Sequence, residues 1–329
     1  MKRILHRHEK NPILKPVGYD WEAVAVFNPA VVLLDGKIHV FYRAIGEYQN
    51  YISRLGHAVF DEELNLIERD EKPFFEPDFK TWWEKSIEDA RITVLEETIY
   101  MTYVVTITPF PPGGVRIRLG IPKSDLVITR IGLAKISRDL KKIKRLGVIS
   151  PLNMDERDTV LFPERINGKL AILHRPSRWI GQRYGTDRPG IWFAYLDENS
   201  CFLYSHKLVM KPEYPWESYK IGSGAPPLKT EKGWLLIYHG VDNNRVYRAG
   251  AALLDLEEPW KVLARTRKPI LEPEEEYEKI GDMPNVVFPE GAVILGEELL
   301  IFYGAADKVC CVARANIDEL LDGMLSGKL

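Results

Sequence analysis

Three cysteines in 329 residues, Cys201, Cys310 and Cys311, are too few for a disulfide framework and lack the spacing of a metal site. They read as small buried side chains in a reducing compartment. The seven histidines are scattered without paired ligand spacing, so no metal is expected. An excess of one charge is also missing, because 45 Lys and Arg face 47 Asp and Glu. A net charge of −2 offers no broad basic face to a nucleic acid, so any basic site must be local. No uninterrupted apolar run reaches the ~18 residues of a membrane span. The first residues, Met1 through Glu9, have no apolar stretch of the signal-peptide kind, and a cytoplasmic protein is expected.

What the chain does contain is a repeat. Five times an apolar strand, a short polar turn and an aromatic-rich strand follow one another. The pairs start at Pro29, Asp89, Thr159, Gly224 and Glu290. Aligning Tyr42, Tyr103, His174, Tyr238 and Tyr303 gives intervals of 61, 71, 64 and 65 residues by subtraction. A third strand with small central residues follows each pair, as in Leu55-Gly56-His57-Ala58 and Arg248-Ala249-Gly250-Ala251. An all-strand repeat of this length predicts an all-β fold, a five-bladed β-propeller, as one domain over residues 1–329.

The chain ends bear on closure of the ring. Asn11-Pro12-Ile13-Leu14-Lys15-Pro16 matches Lys268-Pro269-Ile270-Leu271-Glu272-Pro273, which closes the fourth repeat, while the fifth repeat has no such segment. The N-terminal segment is therefore expected to supply the last blade's outer strand. Asp318 through Leu325 predicts a short C-terminal helix outside the ring. Inserts at Trp82-Trp83 and from Thr108 to Val127 belong on a rim, the second containing a proline-rich loop that no strand interior tolerates.

First strands of a five-bladed ring bring polar residues to the mouth of a narrow axial cavity. Asn28, Asp89, Asp158, Gly222-Ser223-Gly224 and Asn285 hold those places. Second strands add Arg43, His174-Arg175 and His239, and Asp307 follows the fifth. The Glu88-Asp89 pair with Arg91 two positions on stands out as site chemistry. Gly222-Ser223-Gly224 is too short for a nucleotide loop and lacks a following helix.

Phe27-Asn28-Pro29-Ala30, Tyr42-Arg43-Ala44, Ser53-Arg54-Leu55-Gly56-His57-Ala58, Glu88-Asp89-Ala90-Arg91-Ile92, His174-Arg175-Pro176, Gly222 through Pro227 and Tyr238-His239-Gly240 occur in this order. Together they resemble glycoside hydrolase family 130, the β-mannoside phosphorylases, from about Asn11 to Asn316. Ala90 departs from the proline common there. The resemblance implies inverting phosphorolysis of a β-1,4-mannooligosaccharide, or of mannosyl-glucose or mannosyl-N-acetylglucosamine. Phosphate attacks the non-reducing β-mannosyl unit to give α-mannose 1-phosphate. An inverting hydrolase needs an acid and a base, whereas phosphate is already an anion and needs cations to hold it.

By that resemblance Asp89 is the general acid, relaying its proton through a sugar hydroxyl; a raised pKa would suit it, which Glu88 would assist and Arg91 oppose. Arg157, Arg175, Lys220 and His239 would bind phosphate. Asn28, Arg43, Arg54 and Asp307 would bind sugar, and Trp82, Trp83, Tyr103 and Trp179 are candidates to stack on it. The implied partners are the mannoside and phosphate as co-substrate, with no cofactor, no nucleic acid and no membrane, in a homo-oligomer. Two alternatives remain. A hydrolase on the same scaffold would draw its second carboxylate from Asp158 or Asp307, and a propeller without catalysis would only bind carbohydrate.

Overall fold

The computed structural model describes residues 4–81, 84–107, 128–150 and 155–329. Trp82, Trp83, the insert from Thr108 to Val127 and the start of the Met154–Asp158 run lie outside them. Strand β1 is His6–Arg7. The first blade is β2 (Ala25–Leu34), β3 (Lys37–Ile45), β4 (Ser53–Phe60) and β5 (Leu66–Arg69). The second is β6 (Ser86–Leu95), β7 (Thr98–Ile107), β8 (Ile128–Ile136) and β9 (Ile143–Val148). The third is β10 (Glu156–Leu161), β11 (Leu170–Pro176), β12 (Ile191–Leu196) and β13 (Leu203–Met210). In the fourth, β14 (Lys220–Ser223) and β15 (Leu228–Thr230) both pair with β16 (Gly233–Val241), followed by β17 (Tyr247–Leu254) and β18 (Val262–Arg265). The inner strand is split there because Pro226 and Pro227 cannot donate to a ladder.

The fifth sheet has the order β1, β21 (Val309–Asn316), β20 (Glu298–Ala305), β19 (Val287–Leu295). The N-terminal segment thus closes the ring, but with different residues from those expected. His6 and Arg7 pair with Arg314 and Ala313 as the outer strand. Leu14 makes a separate bridge to Cys310 on the same β21. Phe75 bridges back to Leu55 and Leu271 to Ala249 in the same way. Asn11–Pro16 and Lys268–Pro273 are therefore equivalent, as a clip that follows the outer strand rather than the strand itself.

Packing closes the ring as well. The five large apolar clusters each join two successive blades. Phe41 and Met101 meet between blades one and two, Phe193 and Trp234 between three and four, and Phe302 and Val40 between five and one. The one-turn helix α1 (Glu276–Lys279) precedes the fifth blade. Helix α2 (Ile317–Leu325) has Asn316 as its N-cap, accepting from Glu319 N at 3.0 Å. It buries Ile317, Leu320, Leu321 and Met324 in the cluster between blades four and five.

The aligned tyrosines have a shared task. Tyr42, Tyr103 and Tyr238 lie across Gly56, Gly132 and Gly250 of the third strands, where a Cβ would come within 2.3, 2.4 and 2.6 Å of the ring. This is why those strands carry small central residues. The hydroxyls of Tyr42 and Tyr238, and that of Tyr303 in the fifth blade, bond to a buried Arg–Glu group joining the outer strand to the segment before the inner one. Tyr42 donates to Glu22 Oε2 at 2.8 Å, and Arg69 Nη2 holds that oxygen at 2.9 Å. Arg265 with Glu217 beside Tyr238, and Arg7 with Glu278 beside Tyr303, repeat the arrangement. Arg145 and Glu84 repeat it near Tyr103. In blade three the place of tyrosine is taken by His174, which meets Glu156 and His206.

Glu217 has a side chain wholly removed from solvent, and Arg265 is its ion-pair partner at 2.7 Å. Removing one member of such a pair strands a buried charge. Arg265→Ala is expected to cost about 3–5 kcal/mol in chemical denaturation. The catalytic constants of the folded fraction should stay near wild type, because the pair lies at the blade's outer edge.

Candidate active site

The inner strands do not run regularly to the axis. Each of β2, β6 and β10 breaks register against its partner, between Phe27 and Pro29, Glu88 and Arg91, and Arg157 and Val160. The displaced residues Asn28, Asp89 and Asp158 have φ of 52°, 51° and 56°. Left-handed backbone is costly outside glycine, though Asn and Asp tolerate it best, and here it re-aims three polar side chains toward one cavity. In β19 the slip falls between Pro289 and Gly291 and places Glu290 at the axis. Asn285, the residue expected there, is exposed, because the strand's bulge lies five residues further on.

The cavity has a volume of about 210 Å³ and is lined by residues of every blade. Asn28 Nδ2 donates to Asp89 Oδ1 at 2.8 Å. Arg43 reaches Asp89 Oδ1 at 3.4 Å and Glu88 Oε1 at 2.8 Å, with its Nε on Ser53 Oγ. Arg157 approaches the same two carboxylates from the other side, 3.1 Å from Glu88 Oε2 and 3.8 Å from Asp89 Oδ2. Across the cavity, Arg175 Nε donates to Asp158 Oδ2 at 2.5 Å, and His239 Nε2 lies 3.6 Å from that oxygen. Gly222 is needed for this contact, since a Cβ there would fall 2.1 Å from Asp158 Oδ2. Lys220 Nζ sits over the Tyr247 ring at 5.2 Å, and His239 packs on Tyr247 and Phe288. Beneath the site, Arg91 Nη1 donates to the Asp89 carbonyl and lies 2.7 Å from Glu290 Oε1, while its Nε donates to Gly224 O.

The charges divide the cavity into two halves. Burial opposes ionisation of Asp89, but Arg43, Arg157, Arg91 and the Asn28 amide outweigh it and hold the carboxyl below its usual range. Of its two charged sequence neighbours, Arg91 thus lowers the carboxyl, while the Glu88 carboxylate is itself taken up by two of the arginines that hold Asp89 down. Asp158 is held low despite burial, chiefly by Arg175. Burial pushes Asp307 up to about 7, with Arg43 opposing and Asp89 and Glu88 adding to the rise. Burial likewise drops Lys220 to about 7, helped by Arg175, and His239 to about 3, against Asp158. His239 is thus neutral at pH 7, and neither ring nitrogen makes a hydrogen bond among the described residues. A neutral donor and guanidinium groups around one small cavity suit an anion.

Asp89, Arg157, Arg175, Lys220, His239, Asn28, Arg43 and Asp307 all line this cavity. Arg54 does not. Its guanidinium faces Glu76 at 3.5 Å and the Phe79 ring at 5.8 Å, because Arg54 is one residue from Ser53, which points inward to Arg43, and strand neighbours face opposite sides. His174 is directed into its blade with Glu156, one residue from the inward Arg175. Tyr103 packs on Phe75, and Trp179 stacks on Tyr184, so neither lines the cavity. Sequence reasoning missed Tyr247, Met283, Val286 and Phe288, whose only signal is proximity in sequence to predicted strands. Among the described residues no group of three His, Cys, Asp or Glu is placed to hold a metal ion.

The chain is similar to several known proteins. A family model described as beta-1,4-mannooligosaccharide phosphorylase matches residues 4–325. The chain is 42% identical over 323 residues to a 1,2-beta-oligomannan phosphorylase of Thermoanaerobacter sp. (strain X514), covering 96% of this chain and 98% of the relative. It is 40% identical over 317 residues to a beta-1,2-mannobiose phosphorylase of the same strain, covering 92% and 94%. The solved structure of the beta-1,2-mannobiose phosphorylase from Listeria innocua, in complex with beta-1,2-mannobiose, superimposes with a TM-score of 0.78 at 27% identity. It covers 97% of this chain and 99% of that one.

The raised carboxyl of Asp307 gives a prediction for stability against pH. Between about pH 4, where an unfolded aspartate ionises, and about 7, the folded chain holds a proton that the unfolded chain has lost. Stability from this group is therefore full below that window and falls as pH rises through it. Asp307→Asn should leave denaturation midpoints unchanged near pH 4 and raise them at pH 8. A gain of equal size at both pH values would show that Asp307 ionises normally in the folded chain.

Proposed function

Since the chain belongs to glycoside hydrolase family 130, we propose that it is a β-mannoside phosphorylase. It would transfer the non-reducing mannosyl unit of a β-mannoside to inorganic phosphate, giving α-mannose 1-phosphate. The observation that carries this reading is the division of one cavity into a carboxylate half and a cation half. Asp89 stands between Asn28 and Arg43 on one side, and Arg175, Lys220, His239 and Arg157 on the other.

Asp89 would donate the proton to the departing sugar, and Asn28, Arg43 and Asp307 would hold the mannosyl hydroxyls. The surrounding arginines by themselves keep Asp89 ionised. A phosphate bound near Arg157 would offset part of that positive field and favour the protonated form. His239, neutral and unbonded at both nitrogens, can donate to a phosphate oxygen without adding charge. Arg175 and Lys220 supply the charge, the first held in place by Asp158.

For the linkage, the two relatives of near-complete coverage act on β-1,2-linked mannosides, and this is the linkage we favour. The β-1,4 linkage expected from the sequence is the second reading, supported by the description of the matching family model. Against a hydrolase, Asp158, one of the two candidates for its second carboxylate, is committed to Arg175.

Incubation with β-1,2-mannobiose and with β-1,4-mannobiose, each with and without phosphate, tests the proposal. Release of α-mannose 1-phosphate, faster from the β-1,2 dimer, is the expected result. Free mannose at equal rates with and without phosphate would instead identify a hydrolase. Arg175→Ala should raise KM for phosphate more than KM for the mannoside. Asp89→Asn should lower kcat by about 10²–10⁴-fold, as loss of a general acid does. The loss should shrink with a nitrophenyl mannoside, whose leaving group needs little protonation.

A further inference from the structure

Glu88 is the one charged residue of the Glu88-Asp89-Ala90-Arg91 motif that the proposed reaction leaves without a role toward substrate or Asp89's backbone. It is buried at 8% exposure, and its two oxygens are divided between two arginines from different blades. Oε1 takes Arg43 Nη2 at 2.8 Å, and Oε2 takes Arg157 Nη1 at 3.1 Å. Arg43 belongs to the half of the cavity assigned to sugar, and Arg157 to the half assigned to phosphate. Both arginines also touch Asp89, so two carboxylates and two guanidiniums alternate around a closed set of contacts with no net charge.

The two arginines are not held equally. Arg43 has further anchors in Ser53 Oγ and the Phe27 ring, 4.8 Å from its Cζ. Among the described residues Arg157 pairs with the two carboxylates alone, and its side chain is 31% exposed against 10% for Arg43. An anion entering the cavity meets Arg157 as the accessible, less anchored cation, already partly neutralised by Glu88.

We propose that Glu88 is a positioning residue that acts as the resident counter-anion of Arg157, and that incoming phosphate competes with it for that guanidinium. Glu88 keeps Arg157 oriented before phosphate binds and weakens the hold on phosphate and on the phosphorylated product, so that the product can leave. This rests on the phosphorylase reading above. Glu88 touches neither reacting atom; it acts through Arg157.

A residue that served only to hold the fold would, when changed, leave anion binding equal or weaker. A competing counter-anion makes the opposite prediction. Glu88→Gln keeps the shape and one acceptor while removing the charge. Calorimetric titration with inorganic phosphate, and KM for phosphate in steady-state phosphorolysis, should both fall by roughly tenfold, as loss of one nearby buried charge permits. Inhibition by α-mannose 1-phosphate should strengthen in parallel. Glu88→Asp, which retains the charge, should keep phosphate affinity within about twofold of wild type, on the same electrostatic ground. Unchanged or weaker phosphate binding in Glu88→Gln, with wild-type enzyme binding phosphate normally, would overturn this inference and leave the phosphorylase reading standing. Equal tightening in Glu88→Asp would overturn it as well. A wild-type enzyme that neither binds phosphate nor needs it would sink both.

Discussion

Five inner strands cannot converge on one axis as regular ladders and still aim polar side chains at a common point. The bulges at Asn28, Asp89 and Asp158 resolve this conflict, and the site depends on them. Each places one residue in left-handed backbone, a conformation that costs stability and is held only where the surroundings over-determine it. Here the surroundings are Arg91, which bonds the Asp89 carbonyl from below, and the closed ring of inter-blade clusters around it. Strain at the centre is offset by apolar packing at the periphery.

The same closure explains the site's charge balance. A narrow, buried cavity cannot hold many like charges, so the cations come paired with carboxylates. Arg175 is matched by Asp158, and Arg43 and Arg157 by Glu88 and Asp89. Two groups escape full matching, and their ionisation shifts accordingly: Lys220 drops to about 7 and Asp307 rises to about 7. Such displaced groups in a cavity are where substrate charge and hydroxyl groups find partners.

Farther out, the Arg–Glu–Tyr groups form a second, purely architectural layer of buried charge. They recur at the same radial place in four blades, so they report the repeat and not the chemistry. Blade three replaces the tyrosine by His174 and so departs from the pattern next to Arg175. The repeat is kept where blades pack and relaxed beside the cavity.

The number of blades, the order of strands and most of the site were legible from the chain alone. Hydrophobic strands recur at regular intervals, and local pattern needs no knowledge of distant partners. Asp89, Arg175 and His239 could be named because a propeller places equivalent positions of each repeat at one end of the axis. Three matters were not legible. The outer closing strand is His6–Arg7 and not the Asn11–Pro16 segment, because both lie along β21 and only pairing registers distinguish them. Arg54 turns away from the cavity because strand neighbours face opposite sides, and Glu290 lies beneath the site against Arg91, where the bulge in β19 sets it. The ionisation of Asp89 could not be read from its neighbours Glu88 and Arg91, which pull in opposite directions, because Arg43 and Arg157 arrive from blades one and three, 46 and 68 residues away by subtraction. Electric fields add over space and not over sequence, and only the folded ring brings those charges together.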